Sequence, residues 1–286
     1  MKTLSTIHET RAACREARAQ GTRLGLVPTM GALHEGHLSL VRAAKAQCDV
    51  VAVSIFVNPT QFGPNEDLAK YPRTFERDCD LLAKEEVDIV FAPTPEEMYP
   101  QEKITWVEVD ELTNKLDGRS RPGHFRGVTT VVSKLFNIVQ PDVAFFGQKD
   151  AAQLALIRRM VRDLNIPVEI VACPIVREPD GLAMSSRNAY LDADQRNQGL
   201  VLRRSLMQVE STFRCGDKNA ASLVAVAKRV FADEPQVRMD YFEIVDPETL
   251  EPVEKIAGRT LCAVAAYVGS TRLIDNVVLD PQFKRA

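Results

Sequence analysis

The chain has 286 residues, of which 45% are hydrophobic and 26% are charged. This length favours two domains, and the apolar fraction is enough for a sizeable core, which excludes a largely disordered chain. Thirty-six Lys and Arg residues against 39 Asp and Glu residues leave a formal charge of −3. A general nucleic-acid binder usually has a basic surplus and is therefore not expected, whereas small anions respond to local charge.

Neither a secretion signal nor a membrane span is apparent. Residues 1–20 carry charge throughout and lack the apolar core of a signal peptide. The apolar stretches, such as 50–57, fall far short of the roughly 20 residues that a membrane helix needs. The six cysteines are far apart and form no C-x-x-C pair, which is typical of unbridged thiols. We therefore expect a cytoplasmic protein without a membrane partner.

Strand-like and helical segments alternate through the first 175 residues. In chain order they are strand 24–29, helix 36–47, strand 50–57, helix 74–86, strand 88–92, helix 128–139, strand 143–146, helix 151–164 and strand 168–173. The strands are short apolar runs, and the helices have apolar residues three or four positions apart. This alternation predicts an α/β domain, a Rossmann-like parallel sheet with helices on both faces.

The pattern changes after Pro174. Two consecutive helical stretches and three strand-like runs follow, at 194–213, 220–231, 238–245, 260–268 and 272–279. The last two runs are joined through Gly269-Ser270, so we expect a smaller α+β domain with an antiparallel sheet. The predicted domains are 1–175 and 176–286.

The first strand passes into the first helix through PTMGALHEGHL at 28–38. Ligands of open α/β sheets bind at the carboxyl ends of strands, and a helix N-terminus there favours phosphate. Gly31 and Gly36 allow the backbone to approach a ligand closely. His34 and His37, two of the four histidines, are three positions apart. Both imidazoles therefore share a face and can donate hydrogen bonds to one phosphate chain.

Three other interpretations of this segment are considered. A zinc site would need H-E-x-x-H spacing or further Cys and His ligands, which the sequence does not supply. Histidines that only cap or pack the helix remain an alternative. A dinucleotide loop would show G-x-G-x-x-G, which is absent.

Further candidates follow later strands. Gly147-Gln148-Lys149-Asp150 repeats the geometry of a strand end and a helix start, so Lys149 can direct a cation at phosphates, although a solvated Lys-Asp pair is the alternative. Residues 184–187, MSSR, combine two hydroxyls and a guanidinium, which suit a mobile phosphate clamp but also occur in ordinary loops. Gln61 and Gln153 are neutral amides suited to a hydroxy acid.

HEGH after a first strand resembles the HIGH signature of the nucleotidylyl-transferase superfamily, and MSSR is similar to its KMSKS loop. Longer strings resemble the pantoate–β-alanine ligase family and cover nearly the whole chain in order. They are PTMGALHEGHLSL at 28–40, SIFVNPTQF at 54–62, YPRT at 71–74, RPGHFRGVTTVVSKLFNIVQPDVAFFGQKDAAQ at 121–153 and MSSRN at 184–188.

The resemblance implies an AMP-forming acid–amino acid ligase. Such an enzyme joins (R)-pantoate to β-alanine through a pantoyl-adenylate, releases AMP and pyrophosphate, and serves vitamin B5 and coenzyme A biosynthesis. It further implies ATP as a substrate, Mg²⁺, a C-terminal lid domain and a homodimer.

The resemblance also implies roles for individual residues. His34, His37, Lys149 and Arg187 would stabilise charge in the reaction. Gln61 and Gln153 would bind pantoate, and Gln61 would also lie near β-alanine. The implied ATP-binding residues are Met30, Gly31, Ala32, Leu33, His34, Glu35, Gly36, His37, Gly147, Gln148, Lys149, Asp150, Val176, Met184, Ser185, Ser186 and Arg187.

Arg121 and His124, in the basic segment 117–127, match the family's RPGHF string and are expected to line the site. Asp78 and Asp80 lie in a predicted helix after the ligand loop, where either could approach Mg²⁺, but the sequence assigns the metal no protein ligand.

Two other functions stay open at this point. One is a nucleotidyltransferase of the same superfamily, which would leave the nucleotide on its product. The other is a nucleotide-binding regulatory protein without catalysis, against which the four candidate catalytic side chains argue.

Overall fold

The structure is a computed structural model and describes residues 1–64, 66–101 and 104–282. The strands are β1 (Lys2–Leu4), β2 (Leu24–Thr29), β3 (Val50–Ile55), β4 (Ile89–Phe91), β5 (Val143–Gly147), β6 (Glu169–Cys173), β7 (Val237–Val245), β8 (Thr260–Val268) and β9 (Thr271–Leu279). The helices are α1 (Ile7–Ala19), α2 (Glu35–Lys45), α3 (Phe75–Lys84), α4 (Pro95–Met98), α5 (Asp117–Ser120), α6 (His124–Val139), α7 (Ala151–Asp163), α8 (Ala193–Gly199), α9 (Val201–Arg214) and α10 (Ala220–Ala232).

The described residues form two compact units. The first contains Met1–Asn114, Arg121–Gly147 and Leu156–Pro174. The second contains Lys115–Ser120, Gln148–Ala155 and the chain from Ile175 onward. The roles predicted for 1–175 as an ATP- and pantoate-binding domain and for 176–286 as a lid stay predictions.

A parallel sheet organises the first unit. Its strand order among the described residues is β1-β4-β3-β2-β5-β6. β2 pairs with β3 from Leu24 opposite Val50 to Thr29 opposite Ile55, and it pairs with β5 on its other edge. A central strand covered on both faces carries a nearly continuous apolar run, as LGLV in β2 does. The predicted parallel sheet flanked by helices is confirmed.

The core of the first unit follows from the alternation of side chains along its strands. Val27, Val53 and Phe145 share one core with Val41 of α2. Leu26, the neighbour of Val27, therefore points to the opposite face, and α1 and α6 also contact β2. This packing fixes the carboxyl end of β2, from which the candidate loop begins.

The second unit contains the predicted antiparallel sheet, in the order β7-β8-β9. A register shift between Met239 and Tyr241 marks a bulge in β7. β8 and β9 are joined by the two-residue turn Gly269-Ser270, across which Val268 pairs with Thr271. Gly269 has φ +56°, which a two-residue hairpin turn requires. The sheet shares one core with α9 and α10.

An ionic network attaches α5 to this sheet. The Arg272 guanidinium of β9 donates to Asp117 of α5 at 2.7 Å and to Asp240 of β7 at 2.8 Å. Tyr241 donates its hydroxyl to the same Asp117 oxygen at 3.2 Å. These contacts explain why the segment Lys115–Ser120 belongs to the second unit although it precedes that unit's main part by more than 50 residues.

Several elements differ from the sequence-based expectations. Residues 2–19, which had no predicted element, form β1 and α1, and Thr6 and Glu9 form a capping box at the start of α1. The helix predicted at 128–139 begins at His124, behind Gly123 at φ +82°. The helix predicted at 194–213 is two helices that meet at Leu200. Leu200 has near-helical dihedrals, φ −63° and ψ −15°. The helical spacing of apolar residues therefore continues across the break.

No helix within the described ranges is long and apolar enough to cross a membrane. All six cysteines are free thiols. Burial raises the pKa of the Cys14 thiol to about 11, so this sulfur stays protonated and unreactive near neutral pH.

Candidate active site

The loop between β2 and α2 makes an unusually tight turn. Gly31 and Ala32 have φ angles of +80° and +50°, so two consecutive residues adopt left-handed backbone. The Thr29 hydroxyl donates to the Ser54 carbonyl of β3 at 2.7 Å and accepts from the Gly31 N–H at 3.2 Å. An alanine at φ > 0 is strained by roughly 1–3 kcal/mol and persists only where its surroundings over-determine it.

The surroundings that hold this loop centre on Asp78 of α3. Its buried carboxylate accepts from the N–H of Ala32 at 2.8 Å and of Leu33 at 2.9 Å. It also accepts from the Thr74 hydroxyl at 3.0 Å. A Cβ on Gly31 would lie 3.1 Å from Asp78 Oδ2, so glycine lets the loop close over the carboxylate. From the sequence, Asp78 was expected only as a residue that could approach Mg²⁺. In the structure, its carboxylate holds the loop between β2 and α2.

His34 and His37 lie at the start of α2, as their spacing predicts. His34 is the N-cap residue, and the two ring centroids are 4.1 Å apart. The His34 N–H donates to His37 Nδ1 at 3.3 Å. Because Nδ1 accepts this bond, a neutral His37 carries its proton on Nε2. The first turn of α2 therefore combines main-chain N–H groups with an imidazole N–H, a combination suited to anions.

Gln61 lies in the same unit, in the short 3₁₀ turn Pro59–Gln61 that follows β3. Its side chain is buried; Oε1 accepts from Asn58 at 3.1 Å and Nε2 donates to the Met30 sulfur at 2.9 Å. The predicted pantoate residue therefore contacts the predicted ATP loop. A Cβ on Gly127 of α6 would lie 2.2 Å from the Thr60 carbonyl oxygen, so α6 packs directly on this turn.

A chain of polar contacts reaches the main chain of Gln61. Glu66 accepts two hydrogen bonds from Arg121, both 2.6 Å long. Arg121 contacts His124 Nε2 at 3.0 Å, and His124 Nδ1 contacts the Gln61 carbonyl oxygen at 2.8 Å. A guanidinium can only donate and a carbonyl can only accept, so His124 is neutral with its proton on Nδ1. Arg121 and His124 were predicted to line the site. In the structure, they hold the main-chain carbonyl of Gln61.

The charge of Glu66 depends on this chain. Burial by itself would raise the pKa of the carboxyl group. The hydrogen bonds and charge of Arg121 outweigh that effect and hold the pKa of Glu66 below its ordinary value of 4.5. Glu66 is therefore ionised at neutral pH and fixes the Arg121 guanidinium against His124.

In the second unit, Lys149 lies in the 3₁₀ turn Gln148–Asp150, immediately before α7. Its ammonium is 3.6 Å from Asp150 Oδ1, a partly exposed pair. Asn276 of β9 donates to the carbonyl oxygens of Gln148 at 2.9 Å and of Lys149 at 3.0 Å. The position of Lys149 is thus determined by a buried amide that the sequence analysis did not identify.

The segment that ends in the predicted phosphate clamp is a small hairpin within the same unit. Arg177 and Ala183 form an antiparallel bridge, and the Met184 N–H donates to the Val176 carbonyl at 3.0 Å. The main-chain carbonyl of Val176, one of the ATP-binding residues that the resemblance implies, is therefore engaged within the hairpin. Arg177 donates to both oxygens of Asp275 of β9, at 2.7 and 3.0 Å.

The clamp residues follow directly. Ser185 caps a 3₁₀ turn, Ser186–Tyr190, by accepting from the Arg187 N–H at 3.2 Å. Asn188 donates to Glu178 at 2.6 Å and to the Ala183 carbonyl at 3.1 Å. The turn that carries Ser186 and Arg187 is thus attached to its hairpin through Asn188.

The other predicted residues lie at element boundaries. Glu35 and Gly36 open α2, Gly147 is the last residue of β5, and Gln153 is half-buried in the first turn of α7. No role was predicted from the sequence for Asn58, Glu66, Asp275 or Asn276. Their signal was weak: Asn58 is a single polar residue inside the string at 54–62 and Glu66 follows that string, whereas Asp275 and Asn276 form a polar pair inside the apolar strand TRLIDNVVL.

The fold and the anion-suited loop define an α/β protein of the class that binds ligands at the carboxyl ends of its strands. The model of the pantoate-beta-alanine ligase family matches residues 2–278. The pantothenate synthetases of Acidobacterium capsulatum and Koribacter versatilis are 62% and 61% identical to this chain over 98% of its length, covering 97% and 96% of their own. The chain therefore belongs to the pantoate–β-alanine ligase family and is an enzyme.

Solved structures agree. The crystal structure of pantothenate synthetase from Thermus thermophilus superposes with a TM-score of 0.92 at 47% identity, covering 97% of this chain and 99% of that chain. The ligase from Francisella tularensis, complexed with beta-gamma ATP and beta-alanine, has a TM-score of 0.75 at 35% identity and covers 97% of both chains. The family resemblance drawn from the motifs is confirmed.

Proposed function

We propose that this enzyme condenses (R)-pantoate with β-alanine in two steps. The pantoate carboxylate attacks the α-phosphorus of ATP and displaces pyrophosphate, which forms pantoyl-adenylate. The neutral amine of β-alanine then attacks the acyl carbon and displaces AMP. The observation that carries the proposal is the contact of Gln61 with Met30, because it brings the residue proposed to bind the hydroxy acid against the loop proposed to bind ATP.

In the first unit, we assign the phosphates to residues 30–37. The loop that Asp78 holds presents main-chain N–H groups at the start of α2, and His37 adds its Nε2–H. Charge grows on the departing phosphate oxygens during adenylation, so preformed donors stabilise the transition state more than the ground state. His34 and His37 are the catalytic residues of this unit.

From the family resemblance we also assign Gly147–Asp150 and Met184–Arg187 to ATP, with Val176 near adenine. Lys149 and Arg187 supply the positive charge. A guanidinium suits two phosphate oxygens at once, whereas an ammonium acts as a point charge. No covalent enzyme intermediate is required.

Gln61 and Gln153 are assigned to pantoate, and Gln61 also to β-alanine. A neutral amide donates to the hydroxyl or carboxylate oxygens without compensating the negative charge that makes the carboxylate a nucleophile. The anchored carbonyl of Gln61 keeps its side chain in place.

Mg²⁺ is expected to enter the site bound to the phosphates of ATP. Both oxygens of Asp78 accept bonds from the loop, so this carboxylate is not assigned to the metal. Mg²⁺ bound mainly by phosphate oxygens and water needs few protein ligands. By family analogy we also propose a cytoplasmic homodimer, which sedimentation analysis would test.

Exchange of labelled pyrophosphate into ATP tests the adenylation step. With Mg²⁺ and pantoate present and β-alanine absent, exchange should occur, and it should stop when pantoate is omitted. Added β-alanine should then yield AMP. Exchange that requires β-alanine would contradict a separate adenylate, and ADP as product would indicate an acyl phosphate. Exchange only with a phosphorylated alcohol would indicate a nucleotidyltransferase.

A further inference from the structure

Two adjacent polar residues interrupt the apolar strand β9. Asp275 and Asn276 are each only 3% exposed. Burying a carboxylate and an amide costs free energy unless every polar atom finds a partner. Their partners therefore show what the pair does.

The side chain of Asn276 makes hydrogen bonds with one short segment, Gln148-Lys149. Nδ2 donates to the main-chain carbonyls of Gln148 and Lys149, at 2.9 and 3.0 Å. Oδ1 accepts from the side-chain Nε2 of Gln148 at 3.2 Å. A flipped amide would place its oxygen against two carbonyl oxygens, so only one orientation fits. The amide thus fixes the main chain from which the Lys149 side chain extends.

Asp275 holds the other phosphate-directed segment. Its two oxygens accept from both terminal nitrogens of Arg177, which also donates to the Gly181 carbonyl at 3.2 Å. Arg177 and Gly181 lie in the hairpin that leads to Arg187. Successive side chains of a strand point to opposite faces, so neighbouring residues can hold two different segments.

We propose that Asp275 and Asn276 are positioning residues for the ligase reaction: Asn276 fixes the turn that carries Lys149, and Asp275, through Arg177, fixes the hairpin that carries Arg187. This inference rests on the phosphate roles proposed above for Lys149 and Arg187. A displacement of about 1 Å at a charge-stabilising group can cost roughly 100-fold in rate.

The first test compares Asn276→Ala with Thr260→Val. Thr260 is a buried residue of β8 whose hydroxyl donates to the Gly258 carbonyl at 2.9 Å, so the control also loses a side-chain hydrogen bond of a buried residue of the same sheet. Asn276→Ala should lower kcat for pyrophosphate exchange roughly 10- to 100-fold with a smaller change in the KM for pantoate. Thr260→Val should keep its kcat. Equal kcat values for both variants would overturn the inference.

A double-mutant cycle separates positioning from a general structural effect. If Asn276 acts through Lys149, then Asn276→Ala should lower kcat less than about threefold in a Lys149→Ala background. Additive losses would overturn the inference. Wild-type exchange in Lys149→Ala alone would instead refute the proposed role of Lys149. Asn276→Ser, which keeps one donor, should recover part of the rate and replaces Asn276→Ala if that variant does not fold.

Asp275→Asn tests the second half in the same way. One amide oxygen replaces two carboxylate acceptors, so the hairpin should lose its bidentate contact. We expect a loss of kcat that largely disappears in an Arg187→Ala background. An undiminished loss in that background would contradict action through the hairpin.

Discussion

The carboxylate of Asp78 and the main-chain N–H of Ala32 are 2.8 Å apart, although 46 residues separate them in the chain. This contact, with its counterpart at Leu33, holds a left-handed alanine at the entrance to α2. The shape of the anion-suited loop is therefore set from outside the loop. Its sequence, PTMGALHEGH, contains Thr29 but not the carboxylate that holds Ala32 and Leu33.

Asp78→Ala should destabilise the fold and impair adenylation together. Two buried N–H groups would lose their acceptor, at a cost of about 2–4 kcal/mol in the free energy of unfolding. Denaturant titration and pyrophosphate exchange measure the two effects. Glu76→Gln, an exposed change on the same helix, is the control and should alter neither. Full exchange activity in a folded Asp78→Ala enzyme would show that the loop keeps its shape without the carboxylate.

His37 offers a test of its tautomer. His37→Ala should slow pyrophosphate exchange by roughly 10²–10⁴-fold, the range for a positioned donor or acid. The amide nitrogen of glutamine can reach the position of Nε2, whereas the amide of asparagine reaches only that of Nδ1. His37→Gln should therefore keep more activity than His37→Asn. The reverse order would mean that Nδ1 faces the phosphates, and near-normal rates in all three variants would remove His37 from the site.

Variants of Gln61 and Lys149 should affect the use of pantoate and of ATP differently. Gln61→Ala should raise the KM for pantoate more than that for ATP, because its proposed partner is the hydroxy acid. Lys149→Ala should mainly lower kcat and ATP use. Steady-state kinetics with each substrate varied in turn measures both. Equal losses for both substrates in both variants would contradict this assignment.

Gly127→Ala should displace Gln61. The new methyl group would lie 2.2 Å from the Thr60 carbonyl oxygen and 2.7 Å from Gln61 Cα, and both are backbone atoms. We expect a loss of about 2–3 kcal/mol in unfolding free energy and a higher KM for pantoate. Gly63→Ala, whose Cβ would have its nearest neighbour at 3.7 Å, is the matched control. An unchanged KM in Gly127→Ala would show that the turn adapts without moving Gln61.

The lowered pKa of Glu66 predicts that the free energy of unfolding decreases at acidic pH. The folded pKa of Glu66 lies below the ordinary value of 4.5, so its contribution is fully present above that value and is lost as pH falls through the folded pKa. Unfolding free energies from about pH 6 down to about pH 3.5 should fall less steeply for Glu66→Gln than for the wild type. Parallel curves would mean that the Arg121 contact does not stabilise the ionised form. At neutral pH the variant should raise the KM for pantoate, since His124 would lose its fixed partner.

The strand–loop–helix unit at 24–45 was predictable because its signals are local: an apolar run, glycines, and histidines three positions apart. The family resemblance then identified the remaining motifs. The contacts that shape those motifs were not predictable, because Asp78, Glu66 and Asn276 act on loops distant in the chain. The break at Leu200 also escaped the periodicity, since its dihedrals stay close to helical.

The two-residue turn Gly269-Ser270 has a consequence for how this enzyme can vary. It sets the register of β9 against β8, and a slip of one residue would exchange the faces of Asp275 and Asn276. A slip in one direction would place the carboxylate of Asp275 against the carbonyls of Gln148 and Lys149, whereas a slip in the other direction would place the amide of Asn276 against Arg177. Insertions or deletions of a single residue at this surface hairpin should therefore be as harmful as substitutions among the phosphate contacts, whereas substitutions of the exposed Ser270, which preserve its length, should be tolerated.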